Sequence, residues 1–447
     1  MSLDTIYALS SGRGRAGIAV IRLSGPRAWP VAKAMTGMLP ENRRAVRCCL
    51  RDPETQETLD SCLCIGFLGP TSFTGEDVVE FQIHGGLAVI AGVLEALGRQ
   101  PGLRLSEPGE FTRRAFENGR IDLTGAESIG DLIDAETAAQ RRQALRQGDG
   151  ALARRCEEWR DGLVSARAYW EAALDFSDEE LPAELETQTK QKISTLLDQI
   201  LEELNDGGAG ERLRDGLRVA IVGPPNAGKS SLLNTLAARD VAIVSDIAGT
   251  TRDILEVHME VGGFPVILAD TAGLRNEGGE LEKEGVSRAR HRAAEADLRV
   301  AVFDVVDWPG CWAGHAEILG GETIAVINKI DLMAPLPAEG SGGVLPHKIS
   351  VKTGEGIAGL IEAIGAMAAR GIGSGGEPVI TRARHREALQ ACANDLRAFL
   401  DSRNLHAIPE VAGEHLRRAT HALARVTGRV DVEDLLDVIF QDFCIGK

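Results

Sequence analysis

Apolar residues in the first quarter of the chain fall in short β-type runs, Gly17-Ile-Ala-Val-Ile-Arg-Leu23 and Asp77-Val-Val-Glu-Phe-Gln-Ile83, accompanied by one helical span from Leu87 to Leu97. That mixture, over residues 3 to about 115, predicts an α/β domain. From about residue 120 to 206 the spacing turns helical. Ile193, Leu196, Leu197, Ile200, Leu201 and Leu204 recur at three- and four-residue steps and form one apolar stripe. The breaker-rich stretches Asn205-Asp-Gly-Gly-Ala-Gly210 and Gly371-Ile-Gly-Ser-Gly-Gly376 bracket a segment in which strands and helices alternate. Helical spacing resumes from Thr381 through Leu435, Leu436, Ile439 and Phe440, so the second helical segment is expected to pack with the first. The expected fold class is multidomain α/β: an N-terminal α/β domain over 1–118, a discontinuous helical domain over 119–210 and 377–447, and an inserted domain with a doubly wound sheet over 215–370. Insertion needs chain ends that lie close together, which a doubly wound sheet supplies.

Composition narrows the class. With 447 residues, 44% of them hydrophobic, each of three domains has enough apolar material for a core. The longest apolar stretch, Leu87 to Leu94, is too short to span a bilayer, and Met1 to Gly17 lacks the features of a signal peptide, so a cytoplasmic protein is expected. The eight cysteines show no C-x-x-C spacing and are expected to be reduced and mostly buried. A formal net charge of −17 argues against a broad basic surface coating nucleic acid. Any RNA contact would be local, with candidates at Arg13 and Arg15, at Arg141, Arg142, Arg146, Arg154 and Arg155, and at Arg382, Arg384 and Arg386; each group reads more readily as a solvated face.

The chemistry lies in the inserted segment. Leu217-Arg-Val-Ala-Ile-Val222 reads as a buried strand running into Gly223-Pro-Pro-Asn-Ala-Gly-Lys-Ser230, a phosphate loop in which glycines let backbone N–H groups wrap a β-phosphate at a helix N-terminus. Lys229 is expected to bridge the β- and γ-phosphates, and the Ser230 hydroxyl to bind Mg²⁺. The loop alone does not separate ATP from GTP. Asn328-Lys-Ile-Asp331, after the strand Thr323-Ile-Ala-Val-Ile327, does: an aspartate there accepts both N1–H and the 2-amino group of guanine, a donor pair adenine lacks. Ser350-Val-Lys352 occupies the place of the loop that meets guanine O6 through its backbone. Asp270-Thr-Ala-Gly273 ends the run Val266-Ile-Leu-Ala-Asp270, where a strand-end carboxylate holds Mg²⁺ through water and the Gly273 amide senses the γ-phosphate. Gly249-Thr-Thr-Arg-Asp253 supplies Thr251 as the second hydroxyl ligand to Mg²⁺. The residue after the third motif is Leu274, which cannot orient the attacking water as a glutamine does elsewhere, so another device must supply that function and the charge of an arginine finger, an effect of about 10³ to 10⁵ in rate.

Beyond these motifs the chain resembles the TrmE (MnmE) family of tRNA modification GTPases. The resemblance runs over nearly its full length, through Gly12-Arg-Gly-Arg15, Phe73-Thr-Gly-Glu-Asp-Val-Val-Glu80, His84-Gly-Gly86, Pro108-Gly-Glu-Phe-Thr112, Gly119-Arg-Ile-Asp-Leu123 and Cys444-Ile-Gly-Lys447. It implies a potassium-activated GTPase in which two G domains dimerise across their nucleotide faces and the alkali ion replaces the arginine finger. By that resemblance Asn226, Ser245, Ile247 and Thr250 are the potassium ligands. Glu282 positions the attacking water, with Glu280 and Glu284 as register alternatives. The guanine-nucleotide contacts are Asn226, Ala227, Gly228, Lys229, Ser230 and Ser231, then Ser245, Asp246, Ile247, Ala248, Gly249, Thr250 and Thr251, then Asp270, Thr271, Ala272 and Gly273, then Asn328, Lys329 and Asp331, and finally Ser350, Val351 and Lys352.

The resemblance further implies a homodimer acting on tRNA with MnmG, a flavin- and NADH-using partner, to modify C5 of the wobble uridine. The N-terminal domain would bind formyl- or methylene-tetrahydrofolate through Arg22, Glu80, Arg120 and Lys447, with Arg120 standing where a lysine is common. Physically, a carboxylate suits the N–H edge of a pterin and cations suit the glutamate tail. Cys444 reads either as a nucleophile toward the one-carbon unit or as a buried thiol. His84 reads either as a pterin neighbour or as a packed histidine. The competing functional reading is a ribosome-assembly or signalling GTPase switch whose flanking domains only bind RNA or protein.

Overall fold

The computed structural model describes residues 4–12, 14–175, 183–239, 256–270, 296–308, 322–333, 345–373, 378–401, 409–430, 433–441, 443 and 445–447. Two compact units emerge, one of residues 1–130, 153–160 and 421–447, the other of residues 131–152 and 161–420.

In the first unit the period-2 runs become a six-stranded sheet. Its elements are β1 (Thr5–Leu9), β2 (Ala16–Ser24), α1 (Ala28–Thr36), β3 (Val46–Arg51), β4 (Thr58–Phe67), β5 (Val78–Gly85), α2 (Leu87–Gly98), β6 (Leu103–Leu105) and α3 (Glu110–Glu117). Strand order is β3-β4-β5-β2-β1-β6, antiparallel except for the parallel pair β1–β6. Alternation decides which face each side chain takes. Along β5, Val79, Phe81 and Ile83 turn inward and join Ile21, Leu23, Trp29, Met35, Val93 and Leu97 in the core, while Glu80, Gln82 and His84 point the other way. Helix α4 (Leu123–Asp134) begins in this unit, whereas α5 (Ala138–Gly148) and all of α6 (Ala151–Asp175) but residues 153–160 belong to the second. The end of the chain returns to this unit: Pro108 bridges Ile445, and the Ser10 hydroxyl donates to the Gly446 carbonyl at 2.8 Å. Gly446 has φ +94, and a Cβ there would lie 2.2 Å from the Leu9 carbonyl oxygen, so only glycine lets the tail pass.

The second unit holds α7 (Ala183–Leu204), α8 (Ala209–Asp215), β7 (Leu217–Val222), α9 (Lys229–Ala237), β8 (Glu256–Val261), β9 (Phe264–Asp270), β10 (Leu298–Asp304), β11 (Thr323–Asn328), β12 (His347–Lys348), α10 (Ile357–Gly373) and α11 (Ala383–Asp401). Helices α12 (Pro409–Thr427) and α13 (Glu433–Gln441) follow among the described residues. The sheet order is β12-β11-β10-β7-β9-β8, parallel apart from the β8–β9 hairpin. Strands buried on both faces explain the apolar runs 219–222 of β7, 300–303 of β10 and 324–327 of β11. From β7 the chain first builds to one side and then crosses to β10 on the other, so the switch point lies between β7 and β10, where such sheets bind ligands. The expected pairing of the two helical segments is present, with Ile193, Leu197 and Ile200 of α7 buried alongside Leu389, Cys392, Leu396 and Phe399 of α11.

The chain entering the doubly wound sheet and the chain leaving it are clasped together. Arg212 donates from Nε and Nη2 to the Gly371 carbonyl at 3.2 and 2.7 Å. Arg386 donates to both carboxylate oxygens of Glu211, to Asp206 and to the Leu204 carbonyl. Asp131 accepts from Arg214 at 2.8 Å and from Arg382 at 2.7 Å, and so ties the incoming segment to the outgoing one. Gly210 sits so close to Ile380 that a Cβ would lie 1.9 Å from its carbonyl oxygen. Arg382 and Arg386, considered above as RNA contacts, thus spend their charge inside the protein. Arg386→Ala is expected to cost about 2 kcal/mol, because three acceptors lose a charged donor at once. A urea-unfolding midpoint unchanged from the parent would show that the clasp contributes nothing.

Among the described residues no two cysteines form a disulfide. Cys48, Cys62, Cys64, Cys156 and Cys392 are buried and Cys49 is exposed.

Candidate nucleotide and pterin sites

The turn after β7 owes its shape to three residues with positive φ: Gly223 at +141, Asn226 at +63 and Gly228 at +95. A Cβ on Gly223 would lie 2.1 Å from the Val302 carbonyl oxygen, and one on Gly228 would lie 2.3 Å from Asn328 Nδ2. Both glycines are therefore required by packing as well as by backbone conformation. Turns of this kind direct successive N–H groups into an anion-binding concavity, and α9 begins immediately at Lys229 with its positive end there. Lys229 Nζ donates back to the Gly223 and Pro224 carbonyls at 3.0 and 2.8 Å, which holds the ammonium over the loop. Ser230 and Ser231 follow in the first turn, both exposed.

The base-side loop is joined to this loop through Asn328. Asn328 is buried and acts as a brace: its Nδ2 donates to the Ala227 carbonyl at 2.9 Å, and its Oδ1 accepts from the Val351 amide at 3.1 Å. One side chain thus links the phosphate loop, the end of β11 and the loop after β12. The Ser350 hydroxyl, fully buried, donates to Asp331 Oδ1 at 2.7 Å and orients that carboxylate. Lys329 takes φ +64 and reaches Asp304, at the end of β10, with Nζ to Oδ2 at 2.6 Å. Burial pushes the Asp304 carboxyl up, but bonds from Lys329 and the Val306 amide outweigh it and hold the group below the usual carboxylate range. Asp304 was not anticipated from sequence; the available signal was its place as a carboxylate ending a strand next to β11.

The remaining expected nucleotide residues divide cleanly. Lys352 follows Val351 in the same loop. Asp270 ends β9 opposite Ile221, its backbone described and its side chain not. Ser245, Asp246, Ile247, Ala248, Gly249, Thr250, Thr251, Thr271, Ala272, Gly273 and Glu282 lie outside the described residues, as does Cys444.

On the first unit's sheet, Arg22 and Glu80 are register partners on β2 and β5, and Arg22 Nε donates to Glu80 Oε1 at 2.9 Å. The guanidinium lies 5.5 Å from the Phe73 ring centroid and 5.6 Å from that of Phe111, so two aromatic faces hold it. Arg120 runs beside Gly75, where a Cβ would meet its Cγ at 3.3 Å; Lys447 ends the tail pinned at Ser10. His84 is not packed. It is exposed, with Nδ1 2.8 Å from Asp60 Oδ1 and its backbone N–H donating to Asp60 Oδ2 at 2.7 Å.

A doubly wound sheet carrying a phosphate loop beside its switch point, cross-braced to an Asn-Lys-x-Asp loop, defines a P-loop GTPase, an enzyme that binds and hydrolyses GTP. Known proteins agree. The family model for the MnmE helical domain matches residues 123–444, and that for the GTP-binding protein TrmE N-terminus matches residues 5–120. The chain is 55% identical to the tRNA modification GTPase MnmE of Parvibaculum lavamentivorans and 51% identical to that of Rhodospirillum rubrum, in each case over the whole of both chains. It is 51% identical to that of Paramagnetospirillum magneticum over 99% of this chain and all of the other. The chain belongs to the MnmE (TrmE) family of tRNA modification GTPases.

Proposed function

We propose that this chain is a potassium-activated GTPase. Together with the FAD- and NADH-dependent partner MnmG, it uses its turnover to drive modification of C5 of the wobble uridine of certain tRNAs with a tetrahydrofolate one-carbon unit. The observation that carries the reading is the coexistence, in one chain of this family, of a braced phosphate loop and an aromatic-flanked Arg22–Glu80 pair on a separate sheet. The proposed division into domains is 1–118 for folate binding and dimerisation, 119–210 with 377–447 for the helical domain, and 215–370 for the G domain. The working form is a cytoplasmic homodimer. Among the described residues, no helix is long and apolar enough to cross a membrane.

The donor sets suit the groups assigned to them. Asn226 sits exposed on the outer turn of the phosphate loop, where its amide oxygen is a hard donor fit for an alkali cation beside phosphate. Thr250 and the carbonyls of Ser245 and Ile247 complete that set. Ser230 and Thr251 offer hydroxyls to Mg²⁺, which would offset phosphate charge. Glu282 orients the attacking water, and Lys229 holds the phosphates. In the first unit Glu80 keeps acceptor capacity beyond its bond to Arg22, and so can meet the N–H edge of a pterin, while Arg120 and Lys447 offer cations to the glutamate tail. Cys444 is retained as a candidate nucleophile.

Arg22→Ala is expected to weaken 5-formyltetrahydrofolate binding about tenfold or more while leaving GTP turnover at the parental rate, since it removes both a cation and the partner that orients Glu80. Calorimetric titration of the full-length protein checks this, and parental folate affinity in the variant would remove the pair from the site.

A further inference from the structure

Asp304 has no part in the reading above, yet the segment it begins grips the base-recognition loop twice. Its Oδ2 takes Lys329 Nζ at 2.6 Å, and the next residue, Val305, donates its N–H to the Asn328 carbonyl at 3.0 Å. The carboxylate is itself fixed, because Oδ1 accepts the Val306 N–H at 3.1 Å. Lys329 stands between two residues that do different work. Asn328 braces the phosphate loop, and Asp331 presents its carboxylate under the hold of Ser350. Between them the chain turns through a left-handed residue that is not glycine, Lys329 at φ +64, a conformation that costs about 1 kcal/mol or more for a side-chain-bearing residue. Such a residue persists when its surroundings over-determine it, and among the described residues its side chain is held by the ion pair to Asp304. Immediately after Lys329 comes a 3₁₀ turn, Ile330–Leu332, which carries Asp331.

We propose that Asp304 is a positioning residue for guanine recognition: by holding Lys329 it locks the left-handed turn that aims the Asp331 carboxylate at the base. The inference rests on the assignment of Asp331 to the guanine N1–H and 2-amino group. It makes a specific demand on selectivity. A carboxylate that is misaimed loses the two-pronged bond to guanine but loses less against hypoxanthine, which has N1–H and no 2-amino group. Loosening the turn must therefore narrow the preference for guanine over hypoxanthine, whereas general softening of the domain lowers affinity for both bases alike.

The test uses the full-length protein and the fluorescent methylanthraniloyl derivatives of GDP and IDP, with Asp304→Asn, Lys329→Gln and the double variant. Asn keeps an acceptor for the Val306 amide and removes the charge; Gln breaks the same pair from the other side. Each single variant is expected to bind the GDP derivative about five- to tenfold more weakly, with a smaller change for the IDP derivative and a faster release rate. The double variant should be no worse than the poorer single, as a shared interaction requires. For Asp304→Asn at saturating GTP, kcat should stay within about twofold while KM rises. Asp304→Glu, which keeps the carboxylate, should restore most of the lost selectivity. Equal losses for the two nucleotides, or parental affinities, in whichever single variant folds would overturn the inference. A parent protein without preference for GDP over IDP would overturn the Asp331 assignment and this inference with it.

Discussion

Asp331→Asn is expected to exchange the base this enzyme recognises, lowering affinity for guanine nucleotides about a hundredfold or more and creating affinity for xanthine nucleotides. The carboxylate can accept two N–H groups from one edge of guanine. An asparagine offers one acceptor and one donor, which leaves the guanine 2-amino group facing an amide N–H but complements the 2-oxo group of xanthine. Because Ser350 already donates to Asp331 Oδ1 at 2.7 Å, the side chain is oriented before the base arrives, and an asparagine whose carbonyl takes that bond presents its amide outward. Displacement titrations with GDP and XDP measure the exchange. Retention of the parental GDP preference would remove Asp331 from base recognition.

Replacing potassium by sodium at constant ionic strength is expected to slow phosphate release by about a hundredfold or more, the size of effect that follows loss of one preorganised electrostatic contact to the transition state. Leu274 is the reason: with an aliphatic residue after Asp270-Thr-Ala-Gly273, the chain carries no glutamine there to orient water, and the positive charge must enter from elsewhere. Asn226→Ala should bring turnover in potassium down to the rate in sodium. Glu282→Ala should abolish turnover while GDP affinity stays near that of the parent, since a residue that acts on the attacking water contributes to the transition state and little to binding. Single-turnover assays with purified protein decide both, and equal rates in the two salts would end the potassium assignment.

Much of this was legible because it repeats at short range. The phosphate loop is eight consecutive residues, the base loop is four, and the alternation along β5 that places Glu80 on the face opposite Phe81 is visible in seven letters. The strand–helix alternation between the two glycine-rich stretches was enough to expect a doubly wound sheet, though not its strand order, β12-β11-β10-β7-β9-β8. What escaped were pairings between residues far apart in the chain, which leave no periodic trace. Lys329 and Asp304 are 25 positions apart, Arg386 and Asp206 are 180 apart, and the Ser10 hydroxyl meets the Gly446 carbonyl across 436 positions. The two arginines of the clasp show the cost of reading charge without partners: in sequence, Arg382 and Arg386 are a basic run open to RNA, while in the fold each is matched to a carboxylate by geometry no local pattern encodes. Asn328 was expected at the nucleotide. Its bonds to Ala227 and Val351 explain its residue type differently, since a short amide can donate to one loop and accept from another at the same time.

The claim that GTP turnover in this chain drives modification of the wobble uridine is tested most directly by mass-spectrometric nucleoside analysis of tRNA from cells lacking the gene and resupplied with the parent chain or with Glu282→Ala at matched abundance. The C5-substituted uridine should vanish on deletion, return with the parent and stay absent with the variant. Its persistence in the deletion strain, or its full return with a protein that binds GTP and cannot hydrolyse it, would contradict the account.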